Sequence, residues 1–104
     1  MKNVCILFFL IVFNVGNAQI INFPDANFKN ALVNTKCVDT NGDGTPDADA
    51  DLNNDGEIDV SEALMVVNLR VSNANIASLI GINNFINLKG LECEYNFITE
   101  LDVT

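Results

Sequence analysis

Nine of the fourteen acidic residues in this chain fall between positions 39 and 62, in the run DTNGDGTPDADADLNNDGEIDVSE. Carboxylates crowded in this way suit one chemistry above others: gathering a hard cation, which takes six to eight oxygens at about 2.3–2.6 Å. The run divides into two abutting loops of twelve, 39–50 and 51–62, each in the register of an EF-hand-type calcium loop. The second is complete. Asp51, Asn53 and Asp55 take positions 1, 3 and 5, and Gly56 makes the sharp turn at 6. Glu57 offers its carbonyl at 7, Asp59 stands at 9, and Glu62 closes the loop at 12. The first loop keeps Asp39, Asn41, Asp43, Gly44 and Asp47, with the Thr45 carbonyl at 7, but position 12 is Ala50. It is completed only if Asp49 or Asp51 reaches in, so it is the weaker site.

The bland alternative is a solvated acidic linker, in which overlapping Asp-Gly patterns arise by chance. Against it stand the shared twelve-residue register and the missing counter-charge. No Lys or Arg occurs from Cys37 to Leu69. Such a density of like charge is self-repulsive without a cation. The expected cofactor is Ca2+.

The loops need elements to hold them. Phe23-Pro24-Asp25 opens a helix over Asp25–Asn34, with Asp25 at the N-cap and an apolar stripe from Phe28, Leu32 and Val33. A short helix over Ser61 to about Val66 leaves the second loop. Beyond it the pattern changes. Val66, Leu69, Val71, Ile76 and Leu79 recur 22 residues later as Leu88, Leu91, Cys93, Ile98 and Leu101. A constant offset of this size, spaced LxxLxLxxNxL, signals a leucine-rich repeat. Leu91 and Cys93 alternate as a short strand, and Asn96 turns the chain by bonding backbone groups left free at the bend. Arg70, Glu92 and Glu94 project from the strand face. The fold expected is therefore α/β: the start of a leucine-rich-repeat solenoid of about two repeats, preceded by a helical cap carrying the acidic loops. Three or more stacked units are needed for stability, so the array reads as truncated.

Residues 1–18 have the pattern of a secretory signal peptide: Lys2, an apolar run from Val4 to Val15, and Gly16-Asn17-Ala18 before a cut at Gln19. The apolar run is shorter than the roughly 20 residues a membrane span needs. The domains expected are the signal peptide (1–18), a cap with tandem loops (19–65) and truncated repeats (66–104). Losing Lys2 takes the net charge from −9 to −10, which disfavours nucleic acid and anionic membrane surfaces as partners. Secretion permits a Cys37–Cys93 disulfide, although the repeat pattern places Cys93 in the core as a free thiol.

The order of signal peptide, Phe23-Pro24-Asp25-Ala26-Asn27-Phe28, acidic loops, and Leu91-Glu92-Cys93 through Asn96 to Leu101-Asp102-Val103 resembles secreted bacterial leucine-rich-repeat proteins. The most similar are the internalin-like type found in Bacteroidetes. That resemblance implies an N-terminal cap with EF-hand-like or thrombospondin type-3-like calcium loops. It also implies a secreted or cell-surface protein that binds other macromolecules in adhesion.

The leading expectation is an extracellular calcium-binding leucine-rich-repeat protein whose cap calcium stabilises, with an extracellular protein or glycan as ligand. A dockerin-like interaction module is the alternative, although its two loops should be separated by a helix. So is an accessory part of a larger secreted enzyme. Catalysis within these residues is not expected: the chain has no His, no nucleophile paired with a base, and no phosphate-binding glycine loop. A calcium sensor is weaker still, since each loop lacks one flanking helix.

Overall fold

Asp25 starts the first helix and also ties it down. The structure is a computed structural model that describes residues 19–99; the signal-peptide segment 1–18 and Leu101-Asp102-Val103 lie outside the described residues. Helix α1 spans Ala26–Asn34, and one oxygen of its N-cap Asp25 accepts from the backbone N–H of Asn27 and Phe28. The second oxygen accepts from Ala77 and Ser78, at 2.6 and 2.9 Å, across more than fifty residues of chain. Burial alone would raise this carboxyl's pKa, but the four N–H donors outweigh it and hold the group below its ordinary value. The helix buries Phe28, Ala31 and Leu32. It ends at extended Thr35, whose hydroxyl donates to the Ala31 carbonyl.

Phe23 packs edge-on against Phe28 with ring centroids 5.2 Å apart, and tilted against Phe85 at 6.4 Å. Gly81 serves this contact directly. Its φ is +108°, and a Cβ there would fall 2.6 Å from the Phe23 ring.

Past α1, Cys37–Asp39 runs extended between two neighbours, bridging Ala48 on one side and Leu69 on the other. Helix α2 spans Val60–Leu64, strand β1 Asn68–Arg70 and strand β2 Gly90–Glu92, with a 3-10 turn at Ile82–Asn84 between the strands. The strands form a two-stranded parallel sheet that pairs Asn68 with Gly90, Leu69 with Leu91 and Arg70 with Glu92. One core holds the unit together, running from Ile21 and Phe23 through α1, Cys37, Ile58 and Ala63 to Leu69, Ile76, Leu79 and Phe85.

This corrects the expected fold. The described residues form a small unit of two short helices and one parallel strand pair, with no solenoid or repeat architecture. The 22-residue offset is the register of that single pair. Its two halves are not equivalent copies. Leu69, Val71, Ile76 and Leu79 are buried, whereas Leu91 is 36% exposed and Leu88, Cys93 and Ile98 are only half-buried. A solenoid needs successive units that bury one another's faces. Here the first half is tied to the segment before it, through the Val38–Leu69 bridge and the bonds of Asp25 and Asn27 to Ala77, Ser78 and Asn75.

Asn96 does join the two halves. Its Oδ1 accepts from Ala74 and Ile76, while its Nδ2 donates to the carbonyls of Val71 and Cys93. Among the described residues both cysteines are free: Cys37 is buried, and Cys93 is half-buried rather than in the core. Burial pushes the Cys37 thiol up to about 11.

Candidate metal centre

The second loop folds around its own carboxylates. Asp51 accepts from the N–H of Asp55 and, at 2.8 Å, from that of Gly56. Asn53 accepts from Asp55, and Asp55 in turn from Glu57. Each acceptor thus turns the chain a step further, a ladder that Asp and Asn side chains are suited to build. Gly56 takes φ +81° at the sharp bend, with open space around it, so conformation alone asks for glycine there.

Helix α2 then delivers the closing acid. Asp59 caps it by accepting from the Glu62 N–H at 2.8 Å, and Glu62 accepts from the Asp59 N–H at 3.0 Å, a reciprocal capping box. The other Glu62 oxygen takes the N–H of Asn53. Glu62 is thereby pinned at both oxygens.

The outcome is a cluster. Single carboxylate oxygens of Asp51, Asp55 and Glu62 lie within 4.8 Å of one another, and this group could hold a metal ion. Asp51 and Glu62 are only 3% and 4% exposed, and Asp55 stands at the open mouth. The donor set is oxygen alone, which favours hard cations over thiolate- or imidazole-seeking metals. A divalent ion among three carboxylates replaces mutual repulsion by attraction.

The remaining residues of this loop are placed differently. Asn53 sits beside the cluster as a rung of the ladder. Glu57 sends its carboxylate away, to a 2.7 Å ion pair with Lys29 of α1. Asp59 is buried in its cap and also accepts from the Ser61 hydroxyl.

The first loop repeats the ladder but not the cluster. Asp39 accepts from Gly42 and Gly44, Asn41 from Asp43, and Asp43 from Thr45. Asp47 is occupied by the Thr40 N–H and hydroxyl, which hold its carboxyl below the ordinary value. Asp49 accepts from the N–H of Asp51. The loop is shut by backbone: Asp47 and Ala48 both donate to the Val38 carbonyl, and Arg70 holds the Gly44 carbonyl at 3.2 Å. Ala50 is buried and donates to the Leu32 carbonyl. Among the described residues, the acids of this loop do not converge as a group of three.

On the strand face, Arg70 pairs with Glu92 at 2.7 Å, and Glu94 accepts from the Ser72 hydroxyl. Two features were missed in the sequence. The Lys29–Glu57 pair spans 28 residues and leaves no local signal. The capping box does leave one, an N-cap acid followed three residues later by Glu. Compared with known protein families, characterised proteins and solved structures, the chain matches none, so the internalin-like resemblance gains no support from them.

Proposed function

We propose that the Asp51–Glu62 loop is a structural calcium site in an extracellular protein that works by binding rather than by catalysis, its partner an extracellular protein or glycan. The observation that carries this reading is the convergence of Asp51, Asp55 and Glu62 in one partly buried cluster. Calcium, rather than magnesium, is favoured by the loop's supply of further oxygens. Asn53 and the Glu57 carbonyl stand in the same turn, and calcium accepts six to eight ligands in flexible geometry. Magnesium demands a tighter octahedron and sheds its water reluctantly.

The leader-like pattern of residues 1–18 supports export, where calcium is abundant enough to fill even a weak site. The role is architectural. The loop joins α1, through Lys29–Glu57, to α2, which leads into β1. A cation drawing in Asp51 and Glu62 therefore braces both sides of the core.

Thermal unfolding of the chain by circular dichroism, in chelator and then in millimolar calcium with magnesium as control, tests this. Binding at a hundredfold excess over Kd stabilises by about 2.7 kcal/mol. In a domain of this size that raises the midpoint by on the order of 10 °C. A folded sample whose midpoint ignores calcium would sink the proposal.

A further inference from the structure

The leader-like pattern of residues 1–18 puts its cut directly before Gln19, and the chain is tied to the core from the carbonyl of that same residue onward. The Gln19 carbonyl accepts from the N–H of Val60, the first residue of α2, at 2.9 Å. The Ile21 N–H donates to the Ile58 carbonyl, also at 2.9 Å. These two bonds make the antiparallel bridge of Ile20 with Asp59. Ile21 and Phe23 then enter the core. The register treats the two ends of Gln19 differently: the bridge takes its carbonyl and makes no use of its nitrogen. Among the described residues that nitrogen bonds no backbone carbonyl, and Gln19 is exposed.

We infer that Gln19 is a modification site, and that the exported chain begins with the pyroglutamate it forms. The unprotonated α-amine attacks Cδ of the side-chain amide of the same residue. A new C–N bond closes a five-membered lactam, and the bond from Cδ to the amide nitrogen breaks. That nitrogen leaves as ammonia, carrying one proton from the amine, so no oxidant, cofactor or water is consumed. An α-amine titrates at about 7.7–8.0, which leaves a share of it as the nucleophilic free base at neutral pH. A glutaminyl cyclase accelerates the same step. The ring is built from the nitrogen, Cα and side chain of Gln19, so its carbonyl stays available to Val60.

The consequence is protection of an anchor. Chain ends are where proteolysis concentrates, and an aminopeptidase needs a free α-amine. Trimming from Gln19 would remove first the bond to Val60, then the bond to Ile58, and with it Ile21 from the core. Ile58 and Asp59 lie in the second loop between Asp55 and Glu62 of the cluster. The lactam thus guards the segment that backs this loop. The inference rests on the extracellular part of the proposed function and is independent of the metal.

The full chain, residues 1–18 included, is expressed in an exporting host, recovered outside the cytoplasm and treated with a glutaminyl cyclase. Its intact mass and N-terminal peptide are then read. The expected peptide starts at residue 19 and is lighter than its sequence by one ammonia. It resists stepwise N-terminal degradation until a pyroglutamate-specific peptidase removes residue 19 and exposes Ile20. Gln19→Glu keeps the length of the side chain but lacks the amide leaving group. That variant should retain its free amine and be shortened by an aminopeptidase that leaves the wild type intact. A chain that begins at Gln19 yet keeps a free amine overturns the inference and leaves the export reading standing. A retained leader, or a cut elsewhere, overturns both. Equal trimming of the two proteins, or equal resistance, overturns the protective role of the ring. All of these readouts are expected to be the same in calcium and in chelator, so a failure of the metal site is told apart from a failure here.

Discussion

The two acidic loops share a register and a ladder of side-chain to backbone hydrogen bonds, yet only one gathers its carboxylates. In both, position 1 accepts from the N–H at position 6, position 3 from that at 5, and position 5 from that at 7. The difference lies in what closes them. Loop 51–62 is closed by a side chain, Glu62, which the start of α2 swings back over the loop. Loop 39–50 is closed by backbone, at the Val38–Ala48 bridge, and its last residue is buried in the core. A ladder of Asp and Asn can therefore shape a loop without making it a metal site. The closing acid decides between the two.

The largest expected effect comes from trying to convert one loop into the other. Ala50→Glu supplies the acid missing at position 12, but Ala50 is 2% exposed and hydrogen-bonded to Leu32. Burying a charge there without a partner should cost about 3–5 kcal/mol. A fall in the urea midpoint, in calcium and in chelator alike, is the outcome expected. If the variant kept its stability and took up an additional calcium ion by titration, the two loops would differ by one side chain only, and closure by backbone would be irrelevant.

The converse change is Glu62→Ala. It removes the closing acid, breaks the capping box and strands the N–H groups of Asn53 and Asp59. In saturating calcium the loss should be about 3 kcal/mol. In chelator it should be smaller, because deleting one of three like charges offsets part of the damage. Calcium affinity should fall by at least the ten- to hundredfold that loss of an outer-shell partner costs. An equal loss with and without calcium would make Glu62 a cap and nothing more.

How much of this could be read from the chain depends on how local each signal is. The spacing of Asp51, Asp55 and Glu62 lies within twelve residues, and the structure brings these three together. The α1 N-cap at Asp25 and the Asn96 turn are local as well, and both form. What could not be read is set by partners far along the chain. The Val38 bridges close the first loop, Lys29 takes the Glu57 carboxylate, and Asp25 reaches Ala77 and Ser78. The solenoid was misread for a related reason. An offset of 22 residues gives the step between two paired strands, but burial decides whether steps repeat, and burial falls away from Leu69 to Leu91.

A change outside both loops separates stability from metal binding. Asp25→Asn keeps the shape, but its amide nitrogen cannot accept from two further backbone N–H groups. The expected cost at neutral pH is about 2 kcal/mol, with calcium affinity unchanged. Its pH dependence has a definite sign. The folded pKa lies below the ordinary 3.8. The native state therefore favours the charged form, and the stabilisation is fully present above that ordinary value. It is lost as pH falls through the lower folded pKa. The gap between wild type and Asp25→Asn in denaturant midpoint should narrow over that acid range. A gap that stayed constant would mean the carboxylate charge contributes nothing to the junction of α1 with Ala77 and Ser78.

The smallest effect belongs to position 9 of the first loop, and its smallness is informative. Asp47 is exposed, and both its oxygens are engaged by Thr40 rather than aimed at Asp39 or Asp43. The Thr40 N–H first, and then its hydroxyl, lower the carboxyl's pKa, so their contribution fades only as pH drops below the ordinary range. Solvent screening at an exposed site keeps that contribution minor. Asp47→Asn should therefore leave both the melting midpoint and the calcium affinity within error of wild type. Asp59→Asn, at the matching position of the second loop, disturbs the cap that presents Glu62 and should weaken calcium binding indirectly. Were Asp47→Asn to reduce calcium binding as far as Glu62→Ala does, the ion would be held by the first loop. The ladder itself would then be the site, and the closing acid a local support for α2.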